Sequence, residues 1–147
     1  MFRYLIETKD DLAVFLLRLM LGIAFFPHGA QMVLGWFGGH GFSATLNGFT
    51  QGMHIPIIFA LLAIAAEFIG SICLVLGLFT RVAAFGIAVV MAVAIYMVHA
   101  KYGFFMNWSG AQAGEGFEYH LLAIAIAVAL MIKGGGSFSI DRNISNQ

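Results

Sequence analysis

Four runs of apolar residues, each near the length needed to cross a lipid bilayer, limit what this chain can fold into. A helix that spans the hydrocarbon needs about 20 consecutive apolar residues. The runs are Leu12–Leu34, 55–79, 82–100 and 117–132. Hydrophobic residues make up 61% of the chain and charged ones 10%, against roughly 45–50% and about 25% in an ordinary soluble domain. A globule of 147 residues has too much surface to hide that apolar excess. The expectation is an all-α membrane protein, one domain folded as a compact bundle of four transmembrane helices whose first partner is the lipid bilayer.

The first run is expected to remain as a helix and not to be cut away. The leading MFRYLIETKDD carries acidic residues ahead of the apolar stretch, and no small-residue cleavage site follows a short apolar core. Pro56 stands at the start of the second run, where its missing N–H costs least. Pro27 lies inside the first run and is expected to kink it unless neighbours satisfy the carbonyl it frees.

Basic residues set the expected orientation. With the N-terminus in the cytoplasm, Arg3, Lys9, Arg81, Lys133 and Arg142 all fall inside and Lys101 alone falls outside. The positive-inside rule therefore reads the chain as N-in and C-in, a multi-pass protein of the cell inner membrane. Trp36 and Trp108 then sit at outer span ends, where indole rings anchor well. In the first loop Phe42, Leu46 and Phe49 recur at helical spacing, which predicts a short interfacial helix. After Lys133 the sequence GGGSFSIDRNISNQ reads as a glycine break and a short polar end.

Several classes of function are excluded or disfavoured. Seven basic and seven acidic residues leave no field for nucleic acid. The one cysteine, Cys73, forbids an internal disulfide or a CxxC motif. No dinucleotide fingerprint or haem-attachment motif occurs, and no pattern of Met or Cys points to copper. Small residues repeat every four positions: Ala66 and Gly70, then Ala84, Ala88 and Ala92, then Ala123 and Ala127. Such faces let helices approach closely, within one chain or in a homo-oligomer, and argue against a wide pore.

The chemistry is expected from charges placed inside the spans. Arg18 lies ~9 Å and Glu67 ~16 Å from the inner edge by helical rise. An ionisable group at such depth costs about 2.5–3.5 kcal/mol or more, so it pairs, faces a wet cavity or does chemistry. Arg18 shares its face with Gly22 and Gly29, and Glu67 shares its own with Ala63, Gly70 and Ser71. Both should point into the bundle. One reading is an Arg18–Glu67 ion pair fixing the first helix to the second. The other makes Glu67, with Arg18, a protonatable catalytic candidate on a proton or quinone path. A second polar cluster nearer the outer surface holds His28, Gln31, His99, Glu118, Tyr119 and His120. Histidines there could hydrogen-bond a quinone carbonyl or hold a metal or haem. The spacing is a poor metal signature, and no metal site is expected. Glu118 and His120 project about 200° apart on a helix and cannot line one site.

At these residues the chain resembles the DoxX family of small bacterial and archaeal membrane proteins. The matching pieces are RLMLGIAFFPHGAQ, AAEFIGSICLVLGLFTRVAA, GFEYHLLAIAIA and the GGGSFSID ending. Arg18, His28, Glu67, Gly77, Arg81, Glu118 and Asp141 carry the resemblance. The family often has a lysine just after its HG pair, where this chain has Gln31. The resemblance implies a membrane subunit of a quinone- or thiol-linked redox system, working with a redox protein partner. His28, Gln31, His99, Glu118 and His120 are then candidates for binding a cofactor such as a quinone. A non-catalytic scaffold or assembly factor, and a small transporter, are the alternatives.

Overall fold

The structure is a computed structural model that describes residues 2–145. Among those residues every regular element is a helix. A short α1 (Phe2–Ile6) leads into α2 (Leu12–Leu34), followed by α3 (Gly41–Asn47), α4 (Ile57–Leu76), α5 (Thr80–Ala94), α6 (Glu118–Lys133) and α7 (Ile140–Ser145). A π-turn, Gly48–Gly52, prolongs α3, and a second one, Ile95–His99, prolongs α5 toward Tyr102. The long helices form a ring: α2 packs on α4, α4 on α5, α5 on α6, and α6 returns to α2.

Three helices are long and apolar enough to cross a membrane: Leu12–Leu34, Ile57–Leu76 and the continuous stretch Thr80–Tyr102. The fourth expected span is a helix of 16 residues, which rises about 24 Å against a hydrocarbon thickness of roughly 30 Å. The sequence places the helix ends by ordinary capping. Asp11 accepts from the amides of Ala13 (3.0 Å) and Val14 (3.2 Å) at the start of α2. Gly35 ends α2 and Gly77 ends α4, both in the left-handed region that suits glycine. α2 continues through Pro27. The 42–49 spacing corresponds to α3 and its π-turn.

Each long helix shows one stripe to the bundle. On α4 the stripe is Ala60, Ile64, Glu67, Ser71 and Leu74; on α2 it is Val14, Arg18, Leu21, Phe25 and Gly29. The remaining surface is largely bare apolar side chain, as lipid contact requires. Glycine sets the closest approach. A Cβ at Gly29 would strike the Phe68 Cα and the Glu67 carbonyl, and one at Gly22 would meet Val75 at 2.8 Å. The small-residue faces divide: Ala84, Ala123 and Ala127 are buried, whereas Ala92 faces outward.

The sequence after Lys133, expected as a glycine break and a short polar end, packs against the rest of the chain. Ser137, Ser139 and Asp141 are buried, and the segment folds back as a floor beneath the bundle. The Ser137 amide donates to the Asp11 carbonyl (3.2 Å), the Gly136 amide to Thr8 Oγ1 (2.9 Å), and Asp10 bridges Arg142 at 2.8 Å. Glycine spacing alone signalled a break; it carried no sign that the bare carbonyls beyond it would be bound.

Candidate functional site

Arg18 belongs to that floor and does not pair with Glu67. It is 0% exposed, its guanidinium donates to main-chain carbonyls, and it lies 5.4 Å from the centre of the Phe15 ring. Nε donates to Gly135 (2.9 Å), one terminal nitrogen to Leu74 and to Val75 (2.8 Å), and the other to Ser137 (3.4 Å) and Phe138 (3.2 Å). Five N–H groups thus meet five acceptors, the full capacity of the side chain. Leu74 and Val75 end α4, where carbonyls lack helical partners and the dipole is negative. They lie two turns of α4, roughly 10 Å, beyond Glu67. The expected ion pair is therefore replaced by a helix-end contact. The arginine is held by carbonyls at the negative end of the α4 dipole, and its charge is offset further by Asp141.

Asp141 and Arg81 follow the same logic. The Asp141 carboxylate accepts from the amides of Phe79 (2.7 Å) and Thr80 (2.9 Å), capping the positive end of α5. Arg81 donates to the carbonyls of Met131 (2.9 Å) and Ile132 (3.1 Å) at the end of α6. Asp141 was singled out in the sequence only through the family resemblance, Arg81 also as a basic residue that set the expected orientation, and both serve helix termini.

Glu67 stands apart. It is 6% exposed, faces the bundle from the middle of α4, and has no hydrogen bond or ion pair among the described residues. Tyr119, at the start of α6, is half-buried and packs against the bundle core. Tyr119 stacks on Phe25, with ring centres 6.2 Å apart, which closes the α2 side of this region. His28 is exposed, and its ring lies 6.2 Å from Phe25 at the rim.

The outer cluster separates into a pair and two loop ties. His99, in the π-turn of α5, and His120, on α6, bring ring centres to 4.0 Å. His99 Nδ1 lies 2.8 Å from the Glu115 carbonyl. His120 is 7% exposed, and its Nδ1 is buried without a partner. Gln31 instead donates to the Phe37 carbonyl (3.0 Å), holding the turn after α2. Glu118 accepts from the Met106 amide (3.4 Å), holding the loop before α6. Among the described residues no three His, Cys, Asp or Glu side chains converge to hold a metal. Outside the bundle, an open apolar groove of about 1100 Å³ runs between α4 and α5 over Ala66, Gly70, Ala83 and Gly86.

A helical membrane protein with, among the described residues, one unpaired carboxyl in its bundle and capped helix ends below it is the class that fold and site define. The chain belongs to the DoxX family: the family's model matches residues 13–100, from α2 to the turns that follow α5. An uncharacterized protein of Haemophilus influenzae is 31% identical over 125 residues, 85% of each chain. No solved structure matches.

Proposed function

We propose that this protein is a membrane subunit of a redox system, quinone- or thiol-linked, in which Glu67 supports a proton or quinone site. The observation that carries the reading is the burial of Glu67 without a hydrogen-bonding partner. A carboxyl left in that state raises the cost of the fold, which argues for a use in chemistry. In this reading Arg18 acts as a support that holds the helix ends beneath Glu67. The same reading takes four crossings, with α6 tucked among longer neighbours and both termini on the cytoplasmic side of the inner membrane.

The experiment is gentle purification of the tagged protein from its native membranes, with mass spectrometry of whatever stays bound. A redox protein or quinone should copurify reproducibly. Glu67→Gln should remain folded while redox turnover of that assembly is lost. A clean preparation without either companion contradicts the proposal. The scaffold reading draws on a different observation, the exposed Phe42 beside Leu46 and Phe49 on the α3 segment. It predicts that polar substitutions on that face dissolve a complex and leave Glu67→Gln silent.

A further inference from the structure

We propose that His99 and His120 form a two-histidine site for a divalent transition metal ion, zinc or copper(II), between the outer ends of α5 and α6. The site stands apart from Glu67 and needs nothing of its chemistry.

The fold brings the two ligands together. The π-turn Ile95–His99 carries His99 round from the end of α5, and His120 stands in the first turn of α6. Their ring centres are 4.0 Å apart. On one ion, imidazole nitrogens at about 2.0–2.1 Å put the ring centres roughly 4.5–5.2 Å apart, for angles from a right angle to the tetrahedral one. A shift of about 0.5–1 Å between the rings therefore separates this pair from chelating geometry. The spacing of the two residues in the chain carries no trace of the site, because they come from different helices on either side of the 103–117 connection.

The ring nitrogens suit a metal. A carbonyl only accepts, so His99 Nδ1, 2.8 Å from the Glu115 oxygen, carries the hydrogen and the neutral ring keeps a bare Nε2. A main-chain carbonyl on the other nitrogen is how histidine ligands have their tautomer and orientation set. His120 is 7% exposed, and its Nδ1 is buried with no hydrogen-bonding partner among the described residues. An N–H there would go unpaired, so the neutral ring carries its hydrogen on Nε2 and keeps a bare lone pair on Nδ1. A buried lone pair with nothing to bond raises the cost of the fold, and a bound cation relieves it.

The charged groups around the pair are engaged elsewhere. The Glu115 carboxylate accepts from the Asn107 amide (2.7 Å), Glu118 from Met106 (3.4 Å), and the Lys101 ammonium lies 4.9 Å from the Tyr102 ring centre. No third His, Cys, Asp or Glu joins the pair among the described residues, so water completes the coordination. Half-buried His99 keeps the site within reach of the aqueous side. Two neutral imidazoles suit zinc and copper(II), whereas magnesium and calcium take oxygen ligands. A bound ion ties the outer end of α5 to α6.

The test titrates zinc chloride alone, by calorimetry, into the purified full-length protein with its tag removed and its metals stripped by a chelator. Wild type should bind one zinc ion per chain, and Tm should rise by about 5–10 °C at roughly a hundredfold excess over Kd. His99→Gln and His120→Gln should each weaken binding by at least the roughly 10–100-fold that loss of an orienting partner costs. With copper(II) instead, electron paramagnetic resonance should show two bound imidazole nitrogens in wild type and one in either variant. Replacing the exposed His28, His40 and His54 together by Gln should leave the affinity unchanged. Absence of saturable zinc binding in wild type overturns the site, as does wild-type affinity in both single variants. Loss of binding in the triple variant overturns it too, and assigns the ion to the exposed histidines. Should His120→Gln not fold, His99→Gln at the half-buried ring decides by the same titration.

Discussion

At the scale of single residues, two side chains that look alike in sequence have opposite standing. Arg18 and Glu67 are both ionisable groups in apolar spans, yet only Arg18 has every hydrogen-bonding position filled. Removing a buried group of that kind strands its partners, and in proteins such losses run to about 3–5 kcal/mol. Arg18→Ala should therefore lower thermal stability by that amount in detergent, read as a falling Tm and a loss of monodisperse protein. Asp141→Ala uncaps α5 and should cost about 2 kcal/mol by the same measurement. The sequence showed both charges and their inward direction. It did not show their partners, because a carbonyl at a helix end is the same in every residue type and leaves no trace in composition.

Among elements, the α2–α4 contact is the most exacting. Gly29 lies against the backbone of Phe68, so a methyl group has nowhere to go unless the helices part. Gly29→Ala should cost about 1–3 kcal/mol. Gly48, with helical backbone angles and open space around its Cα, should tolerate alanine within about 0.5 kcal/mol. Thermal unfolding of the two variants side by side checks the contrast. The helices themselves were legible because long apolar runs have few other stable forms in a bilayer. Their ends were less so: the second helix stops at Leu76, three residues before the apolar run does, because Gly77 turns left-handed and the Leu78 amide returns to the Cys73 carbonyl at 2.9 Å. The outer histidines were visible as a cluster. Which two would meet depended on the π-turn Ile95–His99, whose register hydropathy does not encode.

Across the whole molecule, the end bearing the termini is sealed by hydrogen-bonded charges and the opposite end carries the histidines. Arg18, Arg81, Asp141 and the segment after Lys133 tie the ends of α4, α5 and α6 to one another and to the start of α2. Truncation after Lys133 should leave Arg18 without three of its five acceptors, Gly135, Ser137 and Phe138, and yield aggregated protein on size exclusion. This floor read from sequence only as a glycine break and a short polar end because its glycines and serines have no apolar pattern; their order comes from hydrogen bonds to chain more than a hundred residues away. The bundle is thus stabilised below and burdened in its middle by a carboxyl that no neighbour bonds. The most direct test of that claim is the Tm of purified Glu67→Met. The account predicts a Tm equal to or above wild type, since an apolar side chain of similar length removes an unpaired buried polar group. A fall as large as that of Arg18→Ala would contradict it and return Glu67 to the framework of the fold.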